Sequence, residues 1–509
     1  MTEDKKRLGI GRRDFIKTTA MAVVGSTLAG TSLYARETGI LSKPRFGGGY
    51  GEKNNRLLCL SEFPEEHLEM INSIRSDHGI GLQVSLIEVN FKNPWDLIEC
   101  IQDEGADILF VCLGRRLIFN YGELARYIGS LGIPILVYSP DQDLIMIDAN
   151  FVAELRVEGA NVKLAVSETE VIDILREVAS PRYYQGSWEE ETIETLEGTP
   201  SPGFMQGRKA LLYSGPFDSI SVPSHNLTEE YVYDHTGVEI AFRPLDELIT
   251  LLEDIDESSA TEEVERWRDE AREIDQVPDG VLRDQCRLYI LLRFIIEEEG
   301  LDAISIDCLH FTLNSPLILP VPCLAFARLR DEGFTASCEA DVCGLLSSMF
   351  LEMISERSSF FANVAEVDKQ RSSTVLRHCA APLKLMGPDS PQQPYRLHDY
   401  HGFGHGLVPK VEFPVGIDVT MGSYTKDLKG FLAWPGTTLT GIDDIDEPMF
   451  PGSDIQRFCA NRVEIEIGGV DRFFQNIANL HHIMVTGNYT EEIADIMAME
   501  NVNIIGPLD

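Results

Sequence analysis

The sequence predicts an α/β protein with two doubly wound parallel-sheet (Rossmann-like) domains followed by a mostly β C-terminal domain. Three observations predict it. Short apolar runs alternate with helical patterns over the first 300 or so residues, and strands and turns dominate from about residue 371. Between the α/β runs lies a boundary at residues 180–206, rich in Pro, Gly, Ser and Glu. The length of 509 residues agrees with about three domains, and 44% apolar content is enough to give each a core.

In chain order, residues 1–36 read as an export signal and 37–55 as a linker holding the glycines of 46–51. Those glycines lack a following Lys-Ser/Thr, so they form no phosphate loop. The first α/β domain, 56–206, has strand patterns at 56–60, 82–89, 107–113 and 133–138, with helical spacing at 65–77, 94–104 and 121–131. The second, 207–370, opens on a strand at 209–213 and continues through 238–243 and a helix at 244–252. Acidic helices follow between 262 and 299, then a strand at 303–306. The apolar spacing of 282–298 marks a core helix, and the acids of 253–273 read as a solvated helix face. The C-terminal domain, 371–509, has strands at 374–376, 410–413, 417–421, 429–433 and 462–467, then a helix at 491–499 and a strand at 502–505.

Charge excludes some functions. With 43 basic and 82 acidic residues the formal charge is −39, too acidic for an electrostatic nucleic-acid binder. Only 13 of the basic residues are Lys. Such a surface suits strong salt, and it equally describes an ordinary soluble acidic protein. The exception is residues 1–35, which carry six basic and three acidic residues. There Arg12-Arg13-Asp14-Phe15-Ile16-Lys17 precedes a mild apolar run over 20–29. This pattern resembles a twin-arginine export signal, which implies a periplasmic or extracellular protein. The run is too short and polar to span a membrane, and no later segment reads as transmembrane.

Ten cysteines are irregularly spaced, without a Cys-x-x-Cys pair, and most sit among apolar neighbours. A chain this long needs no disulfide framework, so most read as small core residues.

Four phrases place a hard oxygen or an imidazole at the edge of an apolar element: Cys338-Glu339-Ala340-Asp341, Phe360-Phe361-Ala362-Asn363, Arg377-His378-Cys379 and His481-His482. Singly each reads as a cap or a core polar residue. Together they suit Mn²⁺ or a related divalent ion.

These phrases, with Pro322-Cys323-Leu324-Ala325, His378-Cys379-Ala380-Ala381-Pro382, Val419-Thr420-Met421-Gly422 and the run from His481 to Tyr489, stand in an order that resembles the L-fucose/L-arabinose isomerase family. The resemblance covers the last two-fifths of the chain. It implies a Mn²⁺-dependent aldose–ketose isomerase working through an ene-diol on a small-molecule sugar, assembled as a trimer or hexamer. It also implies metal ligands Glu339, Asn363 and His482, and catalytic roles for Glu339, Asn363 and His378. His481 supports His482 in this reading, and Asp341 is either a second base or a helix-start carboxylate. The family has Asp where this chain has Asn363. An amide oxygen can ligate a metal but cannot act as a general base. A non-catalytic sugar-binding homologue, or a different carbohydrate transformation such as epimerisation or carbon–carbon cleavage, therefore stays open. His398, His401 and His405, in a Gly-containing segment, are either substrate-binding residues or a polar surface loop.

Overall fold

The computed structural model describes residues 55–61, 64–88, 94–112, 121–140, 145–178, 203–214, 222, 227–308, 319–441 and 459–507. The export signal and most of the linker lie outside the described residues. Among the described residues, no helix is long and apolar enough to cross a membrane.

The first unit runs β1 (Asn55–Ser61), α1 (Pro64–His78), β2 (Leu82–Glu88), α2 (Pro94–Glu104), β3 (Ile108–Cys112), α3 (Tyr121–Gly129), β4 (Ile135–Tyr138), α4 (Ile145–Val157), β5 (Val162–Ala165) and α5 (Glu168–Val178). Its strands form a parallel sheet of order β2-β1-β3-β4-β5. Because side chains alternate along a strand, Leu57, Cys59, Ile108 and Phe110 fill one core, while Leu58, Leu60, Leu109 and Val111 fill another. Both faces are covered, which is why these strands are continuous apolar runs. The sequence pattern did not reveal α4, β5 or α5. Helix α4 is buried almost all round, including Asp148, Asn150 and Glu154, so it lacks the one-sided spacing that marks a surface helix.

The second unit contains β6 (Lys209–Tyr213), α6 (Glu229–Thr236), β7 (Glu239–Arg243), α7 (Leu245–Glu253), α8 (Thr261–Glu270), α9 (Val281–Glu299), β8 (Ala303–Ile306), α10 (Cys323–Asp331), β9 (Thr335–Cys338) and α11 (Val342–Ser355). Its parallel sheet has the order β7-β6-β8-β9. Helix α9 buries Leu282, Cys286, Tyr289, Leu292 and Ile296 at helical spacing and ends at Gly300, whose φ of 64° suits a glycine cap. The acidic stretch is not wholly solvated. Glu263 of α8 is buried, and its carboxylate meets the buried Arg328 of α10 at 2.7 Å.

The C-terminal part is a closed antiparallel barrel. Strands β10 (Phe360–Asp368), β11 (Ser373–His378), β14 (Asp418–Tyr424), β15 (Gly430–Gly441), β16 (Asn461–Ile467) and β17 (His481–Thr486) follow the order β14-β17-β10-β11-β16-β15, and β14 pairs with β15 to close the ring. Closure leaves no free edge within the ring. A hairpin of β12 (Tyr395–Asp399) and β13 (Leu407–Val411) stands beside it, α12 (Val470–Gln475) and α13 (Thr490–Met499) pack on it, and β18 (Asn503–Ile505) adds in parallel to β15. Residues 360–368, which the sequence pattern assigns to the second domain, are therefore a barrel strand.

Alternation sorts the barrel residues. Ala362, Val364, Leu376, Met421, Trp434, Val463, Ile465 and Met484 share the interior cluster. Phe361, Tyr424, Phe431, Ile483 and Val485 face outward and cluster with α11. Polar contacts join barrel and first unit: Lys426 Nζ lies 3.2 Å from Glu154 of α4, both buried, and the half-buried Gln475 donates from Nε2 to the Leu164 carbonyl.

Asp331 links α10 to the chain beyond β11, since its Oδ1 accepts from the backbone N–H groups of Leu383 and Lys384 at 2.8 Å each. Burial pushes its carboxyl up to about 6, against the pull of those N–H groups and of Arg328. A carboxyl whose folded pKa is raised stabilises the fold while protonated, and that contribution fades as pH rises through about 6. Between pH 4 and 7 this group is expected to lower stability by about 2 kcal/mol. Asp331→Asn keeps the acceptor without the charge. Urea denaturation across this range should show the wild type losing stability relative to the variant, and parallel profiles would contradict the assignment.

Candidate functional site

The site begins where β9 meets α11. Parallel strand β9 ends at Cys338, and the next two residues, Glu339 and Ala340, have φ of 61° and 50°. Left-handed backbone at non-glycine residues costs roughly 1–2 kcal/mol each, and such strain gathers at functional turns. The turn brings the Glu339 side chain out at the carboxyl end of the sheet, the usual ligand-binding edge of an open α/β sheet. Asp341 then caps α11, its Oδ1 accepting from the Gly344 N–H at 3.0 Å. Gly344 is needed for the approach of α11 to the barrel, because a Cβ there would lie 2.8 Å from the Phe361 ring.

Strand β17 supplies the imidazole. His481 and His482 are consecutive in an antiparallel ladder and so point to opposite faces. His481 faces outward: its Nδ1 is 2.8 Å from Asp341 Oδ2, its Nε2 is 3.6 Å from Glu339 Oε2, and its ring lies 4.2 Å from that of Phe361. The contact with a carboxylate assigns the proton to Nδ1 and leaves the Nε2 lone pair toward Glu339. Asp341 is fully buried and also accepts from Asn479 Nδ2 at 2.7 Å. Burial raises its pKa, but the His481 contact, the Lys426 charge and the Gly344 N–H outweigh burial and hold it below the usual range.

His378, the last residue of β11, completes the cluster. Its Nε2 lies 3.6 Å from Glu339 Oε1, and its ring stands edge-on to those of Phe361 and His481. Burial would lower its pKa, and the adjacent Glu339 carboxylate reverses that, so the net shift is upward. One donor atom each from Glu339, His378 and His481 lies within 4.8 Å of the others. Asn363 pairs directly with His481 across the β10–β17 ladder, so the two share a face.

A divalent ion fits this set. Among the described residues, His481 Nε2 and Asn363 Oδ1 are buried without a hydrogen-bond partner. A buried polar atom so left costs about 1–3 kcal/mol unless something else satisfies it. One carboxylate, two imidazoles and an amide oxygen are donors that Mn²⁺ and its neighbours accept. The Asp341–His481 pair is the carboxylate–histidine arrangement that orients a metal-binding imidazole.

The structure thus brings together Glu339, His378 and Asn363 of the sequence-predicted residues, with His481 in the position expected of His482. His482 faces the barrel interior near Phe473, and its Nε2 accepts a long 3.4 Å contact from the Ala478 N–H. Burial first, and then the neighbouring His481, push its pKa down to about 3, which keeps it neutral. The three loop histidines have separate surroundings. His398 Nδ1 is 3.0 Å from Asp275 Oδ2, His401 Nε2 is 3.2 Å from Cys379 Sγ, and His405 stacks on Phe403. Sequence reasoning missed the direct role open to His481 and the way Asp341 orients it. Both faces of β17 are buried, so alternation in the sequence gave no sign of which histidine points outward.

No family model matches the chain. It is similar to the sulfoquinovose isomerases of Priestia aryabhattai and Priestia megaterium, each 23% identical over 212 residues, which cover 41% of this chain and 44% of the relative. A sulfoquinovose isomerase of Alkalicoccus urumqiensis is 21% identical over 283 residues, covering 54% of this chain and 59% of the relative. The chain thus spans about half the length of the curated relatives it matches. Among solved structures, an A-type ketoreductase from a modular polyketide synthase aligns over 58% of this chain and 81% of its own at 12% identity, with a TM-score of 0.20. At that score the likeness says nothing about the fold. The named relatives of this chain are sugar isomerases, and the similarity to them is partial and remote.

Proposed function

We propose that this protein is an exported, divalent-metal-assisted sugar isomerase of the L-fucose/L-arabinose type, interconverting an aldose and a ketose through an ene-diol. The observation that carries the proposal is Glu339, held on a left-handed turn with His378 and His481 each 3.6 Å from one of its oxygens. The names of the relatives support the same reaction class, and sulfoquinovose joins the candidate substrates through them.

Glu339, His378 and His481 would hold the ion, with the Asn363 carbonyl beside them. When bound, a divalent ion polarises the sugar carbonyl and favours the ene-diol. Asp341 fixes the His481 ring through Nδ1. Glu339 Oε1 takes the proton from C2 and returns it to C1, while the O2 hydroxyl proton passes to O1, directly or through solvent, as the carbonyl moves from C1 to C2. In place of a second carboxylate, the Asn363 amide offers hydrogen bonds to a sugar hydroxyl but no proton transfer. One base then serves both carbons on one face of the ene-diol. With aldose deuterated at C2, part of the label is expected at C1 of the ketose by NMR. Complete washout at low conversion would contradict a single shielded base.

The direct test incubates the mature protein with Mn²⁺ and a panel of free aldoses and ketoses, sulfoquinovose included, and follows interconversion. Turnover of at least one pair supports the proposal. Sugar binding by calorimetry without turnover favours the second reading, a binding protein, for which Asn363 in place of Asp is the specific motive. A product that is neither aldose nor ketose partner would mark another carbohydrate transformation. Export by the twin-arginine route and assembly into a trimer or hexamer complete the proposal, and signal-dependent secretion and sedimentation would test them.

A further inference from the structure

We infer that Cys379, His401 and Cys459 form a separate site for a soft metal ion, Zn²⁺ in the first instance. The inference is independent of the sugar chemistry. Cys379 directly follows β11, Cys459 precedes the neighbouring strand β16, and His401 sits in the short 3₁₀ turn between β12 and β13. Cys379 Sγ lies 3.2 Å from His401 Nε2, and one donor atom from each of the three residues lies within 4.8 Å of the others. Two thiolates and an imidazole are a preferred zinc set, and three protein ligands leave a fourth position open. They differ in kind from the carboxylate and imidazoles around Glu339, since thiolates select soft ions.

The scaffold holds these groups in place. Asn461, almost fully buried, donates from Nδ2 to the Cys379 carbonyl at 2.9 Å and to the Pro409 carbonyl at 2.8 Å, and its Oδ1 accepts from the Val411 N–H at 2.8 Å. One side chain therefore ties the first cysteine to the hairpin that carries His401. His401 itself has a left-handed φ of 50°, a strained conformation that turns this short segment. Cys379 is buried, while Cys459 is partly exposed, which gives an ion a way in. An ion here would join three segments immediately next to His378. Each cysteine loses its thiol proton to solvent on binding, and no redox change is involved.

The test uses the full chain, reduced with a phosphine and freed of metal, and titrated with Co²⁺ as the spectroscopic stand-in for Zn²⁺. Thiolate-to-cobalt charge transfer in the near ultraviolet should grow to a stoichiometric end point and be displaced by Zn²⁺. The band should be lost in Cys379→Ser and Cys459→Ser, fall in affinity by about tenfold or more in His401→Ala, and persist in Glu339→Gln. Absence of the band in the reduced wild type, or its survival in both cysteine variants, would overturn the site. Where a cysteine variant fails to fold, His401→Ala and a Zn²⁺-dependent rise in wild-type Tm decide the matter.

Discussion

Glu339→Gln is expected to lower sugar turnover by about a thousandfold, within the range for loss of a positioned base. The substitution keeps the size of the side chain and much of its hydrogen bonding, so the left-handed turn and the α11 cap should survive. It removes the group that accepts a carbon-bound proton and the only negative charge among the three donors of the cluster. Asp341 cannot replace it. That carboxylate is wholly buried and is held by the Gly344 N–H, Asn479 and His481, so it orients an imidazole and reaches no substrate. The variant should fold with unchanged Tm in chelator, bind Mn²⁺ more weakly than wild type and show kcat near background. Activity within a few-fold of wild type would remove Glu339 from the mechanism.

Arg328→Ala is expected to destabilise the protein by about 3–5 kcal/mol, because it leaves an uncompensated charge in the interior. The Arg328 guanidinium donates to Glu263 and Glu270 at 2.7 Å each and lies 3.9 Å from the centre of the Trp267 ring. Burial already raises the Glu263 pKa, with Arg328 pulling the other way, so loss of the arginine leaves a desolvated carboxylate. The double variant Arg328→Met with Glu263→Leu removes both buried charges and should recover most of the loss, the coupling expected of a contacting pair. Urea denaturation of the set measures it. A single-variant loss below about 1 kcal/mol would place this pair with ordinary surface ion pairs.

The same cluster shows what sequence reading can and cannot reach. The strand runs of the first unit were legible because a two-face-buried parallel strand is apolar along its length, as at Ile108–Cys112. Helix α4 was not legible for a related reason, since a helix buried all round has no polar face to set its period. The acids of α8 looked solvated because nothing in the sequence says that Arg328, 65 residues from Glu263, packs on them. Barrel closure depends on β14 meeting both β15 and β17, a long-range pairing that local pattern does not encode.

For the site, residue type and order pointed to Glu339, Asn363 and His378. Which histidine of the pair turns outward depends on the register of β17 against β10, where His481 meets Asn363 and His482 meets Ala362. Likewise Cys379 and Cys459 are two of ten irregularly spaced cysteines, most of which read as core residues, and the fold alone sets them beside His401. Cysteine among apolar neighbours has the same sequence signature in either role.

The most direct measurement of the central claim is Mn²⁺ binding, read from the loss of free-ion electron paramagnetic resonance signal, in the wild type, His481→Gln and His482→Gln. The account predicts stoichiometric binding by wild type, similar binding by His482→Gln, and binding at least about tenfold weaker in His481→Gln. Loss of the ion in His482→Gln with retention in His481→Gln would contradict it.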